Sequence, residues 1–96
     1  MSDWYLYVVR CHDGSLYTGI STSVGRRFAQ HQRQEDAGSK YLKGRGPLTL
    51  VFQRRLGSRS LALNVESKVK KLSKAEKEKL VGVPGYFEEI VTRTVC

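Results

Sequence analysis

At 96 residues, the chain has room for one hydrophobic core and hence one domain, spanning residues 1–96. Its make-up, 40% hydrophobic and 27% charged, excludes a disordered or fibrous protein, and no apolar run approaches the roughly 18 residues of a membrane span. Lys and Arg number 17 against 9 acidic residues, and the resulting charge of +8 favours polyanions, through phosphate neutralisation and counterion release.

The first residues lack the charged, apolar and small-residue pattern of a secretory signal, so a cytoplasmic location is expected. Cys11 and Cys96 stand at no metal-ligand spacing and are expected to be reduced thiols. With only His12 and His31 beside them, a structural zinc site is not expected.

Residues 4–9, Trp-Tyr-Leu-Tyr-Val-Val, are dense in aromatic and β-branched side chains and predict the first strand. His12-Asp13-Gly14 supplies turn chemistry, and residues 15–21 form the return strand. The turn decides the register. A two-residue Asp-Gly turn sets His12 opposite Ser15 and sends Tyr7 and Tyr17 to opposite faces. A three-residue loop with Gly14 in the left-handed conformation sets Cys11 opposite Ser15, Tyr7 opposite Gly19 and Val9 opposite Tyr17, so both phenols share a face. The second register is the expected one, because only it assembles a site, and in it Gly19 leaves room beside the Tyr7 ring.

Thr22 or Ser23 caps the next helix. Val24, Phe28 and Ala29 are its expected buried side, with Arg27 and His31 together on a neighbouring face. The helix fades over residues 32–36. Residues 37–46, AGSKYLKGRG, read as a loop with room for one helical turn, and Lys40, Lys43 and Arg45 surround Tyr41 and Leu42. Residues 48–52 form a third strand, apolar almost throughout and therefore expected at the sheet centre, ending at Arg54 and Arg55. Leu61, Val65, Val69 and Leu72 then recur at helical spacing, with Glu66 at the margin of the stripe. Ser73-Lys74-Ala75-Glu76 is a capping box that opens a further helix running to Gly82. Residues 86–91 add one or two helical turns packed by Phe87 and Ile90. The order β-β-α-β-α-α predicts an α+β fold, a small three-stranded sheet covered by helices.

Phosphodiester hydrolysis needs a water nucleophile, a base, cations for the developing charge and commonly a divalent metal. A tyrosine, with an ordinary pKa near 10, serves as a base only in a strongly cationic setting. Arg27, His31 and a bound metal would supply one, and Arg27 can grip a phosphate through a forked pair of hydrogen bonds. Glu66 is the best-placed lone carboxylate. One carboxylate with phosphate oxygens and waters suits Mg2+ or Mn2+ better than zinc. Each group also has an ordinary structural explanation. Strand tyrosines commonly pack a sheet, Arg27 and His31 can form a solvated helix face, and the Lys40-Lys43-Arg45 loop can be solubilising charge. Glu66 and Lys70 have the spacing of a surface ion pair worth a few tenths of a kcal/mol. Only their joint geometry decides.

Tyr5-Leu6-Tyr7 followed by Tyr17-Thr18-Gly19, with Arg27, His31 and a helical Glu66 in ordered spacing, resembles the paired signature of the GIY-YIG nuclease superfamily. Through LYTGIS, RRFAQH, GRGPLTLVF and SLALNVESKVKKLSKAEKEKL, nearly the whole chain resembles the small stand-alone bacterial UPF0213, or YhbQ-like, group. The resemblance implies an α/β sandwich with a central three-stranded antiparallel sheet. It further implies a metal-dependent endonuclease acting on DNA, guided by structure or damage in repair or processing. In it Tyr7 is the general base, and Tyr17 assists that base or orients the phosphate. Arg27 stabilises the pentavalent phosphate, and His31 lies near the nucleophile or leaving group. Glu66 is the sole protein ligand of one Mg2+ or Mn2+.

Gly19, Arg26, Lys40, Lys43, Arg45 and Lys70 are the residues expected at the nucleic acid, with DNA favoured over RNA. The chain departs from the pattern in two places. The first-motif glycine is Tyr5, and the late asparagine of many relatives has no counterpart, Asn64 standing two positions before Glu66. With no DNA-reading domain in the sequence, targeting is expected from a protein partner. The alternatives are a non-catalytic nucleic-acid-binding module that keeps the fold, and an interaction domain that docks onto a repair complex.

Overall fold

The computed structural model describes residues 3–32 and 47–95, and its sheet is built on a strand buried from both sides. In β1 (Trp4–Arg10), Leu6 and Val8 point to one face and Tyr7 and Val9 to the other, and none is more than 2% exposed. Each such side chain contributes about 1.5–3 kcal/mol by leaving water. β2 (Leu16–Ser21) and β3 (Thr49–Gly57) flank it antiparallel, in the order β2-β1-β3.

The third strand is therefore an edge, not the expected centre. Its apolar residues are only half-buried, Val51, Phe52 and Leu56 against one core cluster and Leu50 against the other. An apolar run reads the same whether it is covered on both faces or merely packed along an edge. β3 also runs through Arg54 and Arg55, which were expected to end it. They pair with Leu6 and Tyr5 in the ladder and meet Glu88 at 3.4 Å and Asp3 at 2.9 Å. Charged side chains of this kind protect an exposed edge from pairing with another chain.

The hairpin turn takes the three-residue form. Cys11 N donates to Ser15 O at 2.8 Å, Gly14 N donates to Cys11 O at 2.9 Å, and Gly14 has φ +85°. The Asp13 carboxylate accepts from Ser15 N at 3.0 Å and Ser15 Oγ at 2.6 Å. Tyr7 consequently stands opposite Gly19 and Val9 opposite Tyr17, the register that puts both phenols on one face.

Helices cover both faces, completing the expected α/β sandwich. α1 (Val24–Gln32) lies on the Tyr7 and Val9 side with Val24 and Phe28. The Gln32 side chain ties its end to both backbone groups of Leu48, at 3.0 and 3.2 Å. The other face is covered by α2 (Arg59–Lys70), α3 (Lys74–Gly82) and α4 (Tyr86–Val95). Ser58 caps α2 by accepting from Leu61 N at 3.1 Å, and Ser73 and Glu76 close the capping box of α3. α4 continues four residues beyond the expected piece, to Val95, because Phe87 and Ile90 anchor it in the core.

A polar clasp holds α3 to the hairpin: Arg10 grips Glu78 with two bonds of 2.8 and 2.6 Å, and both Arg10 and Lys74 donate to Gly14 O. Cys11 is a buried free thiol, and Cys96 lies outside the described residues. No helix among the described residues is long and apolar enough to cross a membrane.

Candidate active site

The register brings the Tyr7 ring across Gly19 so closely that a side chain there has no space. A Cβ at position 19 would lie 2.5 Å from Tyr7 Oη and 2.6 Å from Cζ. Gly19 is buried, so its part is to admit the Tyr7 ring; it offers no open surface to a nucleic acid, as its place among the expected contact residues required.

From the opposite side, α1 delivers His31, whose Nε2 lies 2.9 Å from Tyr7 Oη. His31 is only 1% exposed, which sets aside for it the alternative of a solvated helix face. It sits two helical turns after buried Val24, on the side the sheet covers. The Tyr17 ring meets His31 edge-on at 5.6 Å between centroids. Arg27, one turn before His31, acts on the Tyr7 phenol electrostatically and donates to Gln30 Oε1 at 3.2 Å.

Glu66 arrives from α2, its side chain 17% exposed and its charge felt at Tyr7. Lys70, one turn on, stands 3.5 Å from it. Tyr17, Arg27, His31 and Glu66 thus bear on the Tyr7 phenol of β1 from β2, α1 and α2.

The electrostatics depart from the simple expectation of an activated tyrosine. Burial pushes the Tyr7 phenol up to about 12, and the neighbouring Tyr17 phenol adds to the rise. The positive Arg27 side chain pulls the other way and loses, while Glu66 raises it further. In the protein alone, Tyr7 therefore keeps its proton at neutral pH. His31 is held below its ordinary value by burial first and by the Arg27 charge second, so it is neutral there. Tyr7 Oη and His31 Nε2 share one hydrogen bond of 2.9 Å, whose direction follows the tautomer of the histidine.

The donor set fits a hard divalent ion. Among the described residues no group of three or more His, Cys, Asp or Glu could cage a metal. Glu66 is the one carboxylate of the cluster, and a hard divalent ion held by a single carboxylate completes its shell with waters and phosphate oxygens. Arg26 and Lys70 are exposed on α1 and at the end of α2, and Lys40, Lys43 and Arg45 lie outside the described residues. Tyr5, in place of the signature glycine, is accommodated half-buried between Ser21 and Arg55. Asn64 is exposed on α2. Gln30 was missed by sequence reasoning; its spacing three residues after Arg27 was the available signal.

The fold and this cluster define a class. Residues 3–79 match the family model for the GIY-YIG catalytic domain, a nuclease family whose substrates are nucleic acids and whose members generally use divalent metal ions. The chain is 54% identical over 88 residues to a UPF0213 protein of Cronobacter sakazakii, covering 92% of this chain and 90% of that one. It is 48% identical over 92 residues to the UPF0213 protein YhbQ of Salmonella arizonae, covering 96% and 90%. Among solved structures it is similar to a UPF0213 protein from Bacillus halodurans, at 41% identity over 95% of each chain with a TM-score of 0.56. A protein from E. faecalis is similar at 32% identity over 83% of each chain, with a TM-score of 0.59. The chain belongs to the GIY-YIG family and, within it, to the UPF0213 group.

Proposed function

We propose that this protein is a metal-dependent endonuclease that hydrolyses DNA phosphodiester bonds. Its targets are chosen by structure or damage, in DNA repair or processing in the cytoplasm, with a protein partner supplying targeting. The observation that carries the reading is the buried Tyr7 phenol, hydrogen-bonded to His31 Nε2 at 2.9 Å, with the charges of Arg27 and Glu66 and the Tyr17 phenol acting on it.

A phenol at about 12 is a poor base by itself, but it need not ionise before reaction. As Tyr7 takes the proton of the attacking water, its own proton passes to His31 Nε2, and the positive charge rests on the imidazole. The water oxygen bonds to phosphorus, and the bond from phosphorus to the leaving ester oxygen breaks with its electron pair on that oxygen. The leaving oxygen takes a proton from solvent, and the His31 proton is released to solvent on turnover. Arg27 holds the non-bridging oxygens as charge builds on them, and Tyr17 orients the phosphate. Glu66 would hold one Mg2+ or Mn2+, which would supply Lewis acidity to the reaction. Arg26, Lys70, Lys40, Lys43 and Arg45 provide charge for the flanking backbone.

The test is incubation with supercoiled, single-stranded and branched DNA in Mg2+ or Mn2+, wild type against Glu66→Ala. The reading predicts cleavage that the substitution reduces to background. One observation favours a second reading, a non-catalytic nucleic-acid-binding module: Tyr7 is 1% exposed and its phenol is raised, not lowered. Salt-sensitive DNA binding by wild type and Glu66→Ala alike, with no cleavage by either, would select that module.

A further inference from the structure

On the outer edge of β2, where it meets the end of α2 and the first turns of α3, lies a hollow of about 280 Å3. It is lined by Leu16, Tyr17, Thr18, Lys70 and Lys77. Two of these residues also touch the catalytic cluster: Tyr17 packs on His31 at 5.6 Å, and Lys70 stands 3.5 Å from Glu66.

Two features of the lining are unexplained by the fold. Thr18 is 4% exposed, and its Oγ1 has no hydrogen-bond partner among the described residues. Buried hydroxyls are normally paired, and an unpaired one marks a place where a further polar atom belongs. Lys77 is partly buried yet forms no ion pair among the described residues, whereas Lys74 on the same helix is paired with Glu78. A lysine stem can cover apolar surface such as Leu16, which accounts for its burial but not for the orphaned hydroxyl beside it. No carboxylate among the described residues lines the hollow. Lys77 and the Thr18 hydroxyl, which form no pair among those residues, border it together with Lys70, whose ammonium lies 3.5 Å from Glu66.

We propose that this hollow is a second phosphate subsite, which seats a phosphodiester of the bound strand next to the one being cut. Lys70 and Lys77 hold its non-bridging oxygens, and the Thr18 hydroxyl donates from the floor. The inference rests on the nuclease reading, since the strand is that site's substrate, and it adds Lys77 and Thr18 as binding residues. It also sets the direction of the strand, from the Tyr7 cluster along the β2 edge toward α3.

The experiment measures binding of a short DNA duplex with a single-stranded arm, without divalent metal, over a range of salt. Lys77→Ala is compared with Lys79→Ala, which makes the same charge change on the same helix but at a residue stacked over Tyr86, 4.5 Å from the ring centroid. Lys77→Ala should weaken binding about fivefold more than Lys79→Ala. It should also make the dependence of log K on log salt shallower by about 0.7–0.9, one phosphate contact. Lys77→Arg, which keeps the charge, should bind like wild type. Equal losses from Lys77→Ala and Lys79→Ala overturn the subsite and leave the nuclease reading standing. Failure of the wild type to bind DNA overturns both.

Discussion

Position 19 carries no side chain because Tyr7 occupies the space one would need. Gly19→Ala would put a Cβ within 2.6 Å of both Oη and Cζ, and the ring, held between β2 and His31, has to give way. Overpacking of this kind costs about 1–3 kcal/mol, measured as a shift in the urea midpoint, and DNA cleavage should fall with it as the Tyr7–His31 bond is lost. An unshifted midpoint with full cleavage would show that the close approach is not needed. Tyr7→Phe makes the complementary prediction, since it keeps the packing and removes only the hydroxyl. Losing one buried hydrogen bond should cost about 1 kcal/mol of stability. If the phenol is the base, the cleavage rate should drop by about 10²–10⁴-fold. A rate loss no larger than tenfold in a folded Tyr7→Phe would mean that the phenol is not the base.

At the level of elements, the hairpin and α3 are joined by a clasp whose strength depends on pH. The Arg10 guanidinium, with Lys74, holds the Glu78 carboxyl far below the usual range, at about 2. A folded-state value below that of the unfolded chain stabilises the fold above the unfolded value and loses that contribution as pH falls. For Glu78 the loss runs from about pH 4.5 down to about 2. Urea unfolding across that window should show wild-type stability falling faster than that of Glu78→Gln, and parallel profiles would show that the clasp adds nothing. A shallower slope should persist in the variant, because Asp3 and Glu76 are also held below their ordinary values by Arg55 and Ser73. The same clasp fixes α3, and with it Lys77, against the outer end of β2.

For the molecule as a whole, the half of the site on the hairpin was legible from residues alone. Only a left-handed Gly14 sets Tyr7 against Gly19, and the structure has that turn. The capping box at Ser73 and the stripe through Val65 and Val69 were legible for the same reason, since each depends on neighbours in sequence. What was not legible depends on which surface meets which. Helical spacing says that Arg27 and His31 share a side, but not that the sheet covers His31. An apolar run at residues 48–52 does not say whether a further strand lies beyond it. Lys77 in a lysine-rich helix reads as solvated charge until the fold sets it beside Thr18. The rise of the Tyr7 phenol also follows from burial, which outweighs the arginine expected to lower it.

The central claim is that residues from β1, β2, α1 and α2 act as one catalytic unit around that phenol. Single-turnover cleavage of supercoiled DNA in Mn2+ tests it, with wild type, Tyr7→Phe, Glu66→Ala and the double variant side by side. Groups acting as a unit are non-additive, so each single substitution should bring the rate near background and the double should bring it no lower. Wild-type cleavage that survives either single substitution, or its absence from the wild type altogether, would contradict the account.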